Sequence, residues 1–375
     1  MKTLDKNSLD KLIQELKKEG YVTIGPLLKD GAIVYGEINS INDLPAGYID
    51  EQEPGKYRLK KTNDNSLFSY VVGPQSWKKY LFPTRLKLWE GARNGKGFNI
   101  NTPQESPPKY AFIGVRSCEL NAIFIQDRVF NNGMFADSYY NTVRNNIFIV
   151  TVNCTRSAGN CFCVSMKTGP EAKHGFDLSL TEVINKDEHY FVLDEGSQRG
   201  AELSAKLNAG EAGDKQVMAA REAVNNAAVN MKKTMNTDGI KKLLYKNHDN
   251  PIWAEIAARC LSCANCTMVC PTCFCSNIED TTDLTGDHAE RWRRWDSCFS
   301  LDYSKVAGGS FRTSSKARYR QWMTHKLASW IDQFGTSGCV GCGRCISWCP
   351  VGIDITKEVD NLHIYKNKIQ IKTKN

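Results

Sequence analysis

The chain is 375 residues long, with 41% hydrophobic and 24% charged residues, which is room for two domains and the balance of a soluble globular protein. Its formal charge of +8 is interspersed with acidic residues, as in Lys17-Lys18-Glu19, and no single-sign block or base-reading motif is present, which argues against a nucleic-acid partner. Fifteen cysteines, an opening without the apolar stretch of a signal peptide and no apolar run near the 18 or so residues of a membrane span point away from a disulfide framework and towards a cytoplasmic metalloprotein.

Leu9, Leu12, Ile13 and Leu16 recur at helical spacing, between Ser8 as a candidate N-cap and Gly20 as a stop. Two β runs, at residues 21–28 and 32–38, meet at Lys29-Asp30-Gly31 as a hairpin. Strand-like pieces follow at 56–60 and 67–72, and the Pro-, Gly- and Asn-rich stretch 91–108 reads as loop. Gly91, Gly95 and Gly97 do not make the G-x-G-x-x-G fingerprint, and no dinucleotide motif occurs elsewhere.

Residues 110–115 and 147–152 are continuous apolar strands flanking a helix at 119–130, the pattern of a parallel β-α-β unit buried on both faces. Cys118 follows the first strand and Cys154 the second, so parallel strands put both at the carboxyl edge where α/β sheets hold their sites. Cys161 and Cys163 come within ten residues of Cys154, after a short glycine-containing loop, and the four thiols form a candidate third metal site. Free cysteines also pack like small hydrophobes, and Cys-x-Cys is a cramped chelate, so a structural role for some of them stays open. Residues 176–184 and 190–193 continue this domain. Residues 197–248 are Ala-, Lys- and Glu-rich and favour helix, weakened at Asn225, Asn226 and Asn230. Pro251 opens a short helix at 252–259, and a domain boundary is expected near residue 250.

The C-terminal third carries Cys260-x2-Cys263-x2-Cys266-x3-Cys270-Pro271 and repeats it as Cys339-x2-Cys342-x2-Cys345-x3-Cys349-Pro350. Three cysteines two apart on a tight loop wrap one [4Fe-4S] cube, and the fourth, starting a helix, ligates the other cube. The expected sets are therefore Cys260, Cys263, Cys266 and Cys349 for one cluster, and Cys339, Cys342, Cys345 and Cys270 for the other. Zinc sites are the alternative, but these use two C-x2-C pairs separated by a long spacer rather than two complete four-cysteine runs. Each oxidised cluster with its thiolates carries about −2, so two of them offset half of the formal charge. The expected fold is an N-terminal mixed α/β domain, residues 1–250, followed by a bacterial-ferredoxin-like two-cluster helical domain, residues 251–375, with a large insertion at 272–338. The insertion, with its Arg291-Trp-Arg-Arg-Trp295 segment, is expected to cover the clusters more than to bind a partner, and Cys273, Cys275 and Cys298 are expected to be structural. His174, His248, His288 and His325 have no ligand-like spacing.

Gly114-Val-Arg-Ser-Cys118, Asn153-Cys154, Cys161-Phe-Cys163 through Gly169-Pro170, Cys270-Pro-Thr-Cys273-Phe-Cys275, Trp295-Asp-Ser-Cys298 and Gly338 through Cys345 together resemble one family of 4Fe-4S dicluster subunits. That family includes the β subunit of soluble cytoplasmic [NiFe] hydrogenases of the sulfhydrogenase type and the A subunit of anaerobic sulfite reductase. Ser117 departs from the proline expected before the cysteine. The resemblance implies an electron-transfer subunit, a flavoprotein partner with FAD and a [2Fe-2S] cluster that exchanges electrons with NAD(P)H, and a catalytic partner, either [NiFe] hydrogenase subunits or a siroheme subunit. A self-contained iron–sulfur reductase and a zinc-stabilised interaction module are the competing readings. The chain shows no nucleophile–base arrangement to support bond chemistry of its own.

Overall fold

The computed structural model describes residues 1–102, 107–131, 133–185 and 188–372. Strands β1 (Lys2–Asp5), β2 (Val22–Lys29) and β3 (Ala32–Glu37) open the chain, and β4 (Tyr48–Glu53) and β5 (Lys56–Lys61) form a separate ribbon. Then come β6 (Arg85–Asn94), β7 (Gly97–Asn101), β8 (Tyr110–Val115), β9 (Phe148–Val152), β10 (Leu178–Ile184), β11 (His189–Glu195) and β12 (Gly210–Glu211). Eight of these make one mixed sheet in the order β12-β1-β11-β10-β9-β8-β2-β3. Its centre, β2-β8-β9-β10, is parallel, as the uninterrupted apolar runs of β8 and β9 require.

Alternate residues of β8 serve opposite faces. Ala111 and Ile113 join the cluster beneath the helix Ser8–Lys18, whose Leu9, Leu12, Ile13 and Leu16 are fully buried. Burying each such leucine or isoleucine contributes roughly 1.5–3 kcal/mol. Phe112 faces the other layer with Trp77, Ile123 and Tyr140. The β8–β9 register slips between Ile113 and Val115, at Gly114, whose φ of +91° glycine tolerates and whose added Cβ would lie 3.2 Å from Phe68. This bulge re-aims the chain just before Cys118.

A second core gathers helices Ile240–Lys246, Ile252–Arg259, Ser315–Thr324 and Ile355–Lys372 around Trp253, Met323 and Phe299, with five half-buried cysteines of the two runs at its border. Trp253 is fully buried, and truncating such a side chain costs about 3–5 kcal/mol. Among the described residues no helix is long and apolar enough to cross a membrane.

Three expectations need correction. Helix capping starts at Asn7, with Ser8 already helical and its N–H held by Asp5 Oδ1 at 2.7 Å. Residues 67–72 are not a strand: carboxylates of Glu182 and Asp50 accept the N–H groups of Leu67, Phe68 and Val71 at 2.6–2.8 Å, replacing a ladder. The stretch 91–108 is mostly a ribbon, β6–β7, apart from residues 103–106, which lie outside the described residues. Its partner is β14 (His288–Trp295), which pairs with β13 (Ser276–Thr282) to complete a sheet in the order β13-β14-β6-β7. Residues 197–248 are helical in three pieces, Gln198–Ala205, Asp214–Val229 and Ile240–Lys246; Asn225 and Asn226 lie inside the second and Asn230 caps it.

Candidate metal centres

The first thiol group surrounds a small cavity of about 30 Å³, lined by Cys260, Cys263, Cys266 and Cys349 and also touched by Cys345. The two runs thus meet across 79 residues or more of chain, with the fourth cysteine of the second run beside the first three of the first. Ser262 and Ala264 take left-handed φ of 52° and 67° to turn the loop between the thiols. Burial pushes the Cys266 thiol well above its ordinary range, and the adjacent Cys260, Cys349 and Cys263 thiols push it further. Phe299, Tyr319 and Trp322, all from the insertion, close the cavity, so that part of the insertion does cover the thiols. Tyr319 Oη and Trp322 Nε1 are buried without a hydrogen-bond partner. Two donors beside four thiols suit a group that presents sulfur acceptors.

The second group is Cys339, Cys342 and Cys345 with Cys270. Glycines 341 and 343, with φ of +66° and +76°, turn this loop. Burial raises the Cys339 thiol to about 12, opposed by the Lys326 ammonium and reinforced by Cys342 and Cys270. Cys345 is raised well above its ordinary range by burial and then by Cys339, Cys342 and Cys270. Buried thiols that each raise the other's pKa ionise together only when a cationic core balances them. Cys270 behaves differently, being lowered by a hydrogen bond from Cys273 and by Lys326.

The third group sits at the carboxyl edge of the parallel strands, as β8 and β9 require. Cys118, Cys161 and Cys163 are buried in one apolar cluster with Val71, Ala122 and, from the second run, Cys342. Cys154 lies half-buried beside them, with Arg116 Nη1 at 4.0 Å from its sulfur and opposing the rise that burial imposes. Arg116 is itself fixed by Nη2 bonds of 2.7 Å to the carbonyls of Phe68 and Tyr70. Burial raises Cys163 to about 12, with Cys154 and Cys342 adding to it. Ser117 Oγ lies 2.7 Å from Glu171 O and 2.9 Å from Thr168 O and shares its one proton between them, so the serine ties the Cys118 turn to the loop that follows Cys163.

The second and third groups are stitched together. Phe162 N donates to Gly341 O at 2.8 Å, Thr168 Oγ1 to Val340 O at 2.6 Å, and Asn160 Nδ2 to Ser347 Oγ at 2.9 Å. A Cβ on Gly343 would sit 2.4 Å from Asn160 O, so only glycine permits this approach.

Thiol spacing bears on the metal. Tetrahedral zinc with Zn–S near 2.3 Å draws its sulfurs to about 3.8 Å from one another. Among the described residues no three cysteine sulfurs lie within 4.8 Å of each other, a wider spacing than that zinc geometry. The one such tight group is Glu90, His288 and Glu290, which sequence spacing did not suggest; Lys87 Nζ already bridges both carboxylates at 2.8 and 2.6 Å.

Residues 259–353 match the model of the 4Fe-4S dicluster domain family. This segment is a 4Fe-4S dicluster domain. The whole chain is also similar to sulfhydrogenase 2 subunit beta of Pyrococcus furiosus, 29% identical over 350 residues that cover 92% of this chain and 93% of that one. No solved structure matches the chain. The resemblance to hydrogenase β-type dicluster subunits is therefore supported inside the dicluster domain and along most of the chain, and supports an iron–sulfur electron-transfer role.

The remaining cysteines lie next to the dicluster domain's thiols rather than apart from them. As free thiols, Cys273 hydrogen-bonds to Cys270, and Cys298 hydrogen-bonds to Cys275, holding Cys275 down at about 6. Arg291 to Trp295 does not line the first cavity; its strand pairs with β6, and Trp295 Nε1 donates to Phe82 O at 2.9 Å. The sequence reading missed Lys326, Tyr319 and Trp322. An isolated lysine or aromatic on a helix carries no spacing signal.

Proposed function

We propose that this chain relays electrons between an FAD- and [2Fe-2S]-containing flavoprotein linked to NAD(P)H and the catalytic subunits of a [NiFe] hydrogenase. In this reading Cys260, Cys263, Cys266 and Cys349 hold one [4Fe-4S] cluster, and Cys339, Cys342, Cys345 and Cys270 the second. Cys118, Cys154, Cys161 and Cys163 hold a third. Such clusters supply one-electron transfer and no bond chemistry.

The observation that carries the reading is the first cavity, whose thiols come from both runs. The protein's part is to hold, shield and bias. Tyr319 and Trp322 exclude water on one side, whereas Cys263 is exposed and Leu261 is 64% exposed, leaving that edge open towards a partner. Cys342 shares an apolar cluster with Cys118, Cys161 and Cys163, so the three thiol groups are consecutive neighbours from that exposed edge to the large sheet. A boundary near residue 250 remains part of this reading, although the second core also takes in Phe162, Met235 and the helix Ile240–Lys246 from before it.

Similarity along nearly the full length of a sulfhydrogenase β subunit favours hydrogenase over siroheme partners. The test is steady-state assay of the purified chain under anaerobic conditions. It should give reduced-cluster EPR signals with a strong artificial reductant, yet neither oxidise NAD(P)H nor take up hydrogen nor reduce sulfite. Turnover with NAD(P)H free of flavoprotein would instead mark a self-contained reductase.

A further inference from the structure

We propose that Lys326 is a positioning residue that raises the reduction potential of the cluster held by Cys270, Cys339, Cys342 and Cys345, making that site easier to reduce than the cluster held by Cys260, Cys263, Cys266 and Cys349. The inference rests on the proposed ligand assignment.

Lys326 is 3% exposed. Its Nζ lies 3.3 Å from Cys270 Sγ, 3.4 Å from Cys273 Sγ, 3.2 Å from Thr272 Oγ1 and 3.1 Å from Gly338 O. An ammonium has three protons, and here every acceptor within reach is a sulfur, a hydroxyl or a carbonyl. Among the described residues no carboxylate pairs with it, unlike Arg344 of the Cys339–Cys345 loop, which is matched by Glu119. Its positive charge is therefore directed at the sulfur side of the site. Adding an electron there makes the site more negative, and a nearby buried cation favours that state more strongly than one in water.

Two further observations agree. The helix Ser315–Thr324 continues as a π turn, His325–Ser329, and this rare geometry carries Lys326 inward. Gly338 N donates to Lys326 O at 2.8 Å, so backbone and side chain of the lysine are both clamped to the residue before Cys339. Gly338 permits this because a Cβ there would meet the Trp330 ring at 2.1 Å. By contrast, the residues lining the Cys260 cavity include no lysine or arginine. The two clusters of the dicluster domain thus have unequal electrostatic surroundings.

The experiment is an anaerobic potentiometric EPR titration of the full chain, with iron content measured on each sample. A Cys349→Ser background assigns the signals, because it should lose the other cluster. In Lys326→Met and Lys326→Gln the reduced-to-oxidised ratio of the Cys270 cluster at a fixed potential should fall about tenfold, equal to a shift of about 59 mV for one electron. Lys326→Arg should restore most of it, and the Cys260 cluster should not move. Unchanged midpoints with iron retained would overturn the proposal. Loss of iron in both neutral variants, recovered in Lys326→Arg, would also overturn it, in favour of a purely structural lysine. If Cys270→Ser leaves iron and both signals intact, the ligand assignment itself has failed, which is a separate result.

Discussion

Glu119 and Arg344 are 225 residues apart in sequence and form an ion pair from which water is excluded, each side chain being 1% exposed. Glu119 follows Cys118, and Arg344 stands between Cys342 and Cys345, so the pair joins two thiol groups. Tyr35 Oη and Trp77 Nε1 also donate to this carboxylate, at 2.8 and 3.1 Å, and Arg344 donates to Gly73 O at 2.9 Å and Gln75 O at 2.8 Å. Removing one partner leaves a buried charge uncompensated. Arg344→Met should lower stability by about 3–5 kcal/mol, and Arg344→Met with Glu119→Gln should cost less than the single change. Anaerobic urea unfolding of the three proteins measures this; equal losses in the single and double variants would mean that the pair is not coupled.

Cys349→Ser should damage the cluster associated with Cys260, Cys263 and Cys266 and spare the one associated with its sequence neighbours. Iron should drop by about four per chain. A structure with Cys349 on the same cube as Cys339 would reject the crossing.

Full occupancy of three cubes predicts about twelve irons per chain, against about eight for the two cysteine runs alone. Cys118→Ser and Cys163→Ser should each bring the count towards eight while leaving the EPR signals of the dicluster domain in place. A wild-type count of eight after anaerobic reconstitution would make the sheet-edge cysteines structural.

His325 stacks on Trp330 with centroids 5.1 Å apart, and burial holds its imidazole below the ordinary 6.5. A base whose folded pKa is depressed binds its proton more readily when unfolded. Its contribution is therefore complete above about pH 6.5 and is lost as pH falls from there through the folded value. Between pH 7.5 and 5.5 the wild type should lose more stability than His325→Phe, read as the difference in urea midpoints. Parallel pH curves would show that this ring does not set the acid side.

Legibility followed the strength of the local pattern. The runs Cys260–Cys270 and Cys339–Cys349 were readable because ligand spacing is a local property of the chain. Cys118 and Cys154 were readable because strands β8 and β9 are apolar on both faces and so must be parallel and enclosed. Strands β6 and β7 were not, since β7 is exposed throughout and glycine punctuates both. Their order comes from β14, almost 200 residues later. Residues 67–72 misled for the opposite reason: an apolar run was present, but Glu182 and Asp50 satisfy its backbone. Lys326 could only be found in three dimensions, because what distinguishes it is the sulfur it faces.

The close approach of Gly341 and Gly343 to Asn160, Phe162 and Cys163 bears on how the protein is made. The sheet and its four cysteines leave the ribosome well before residues 338–347 exist, so during synthesis this thiol edge stands open and lacks its cover. The later loop then covers it, with the backbones of Gly341 and Gly343 packed against residues 160–163. Anything that reaches the sheet-edge thiols across this seam must first part the Gly341 and Gly343 backbones from residues 160–163.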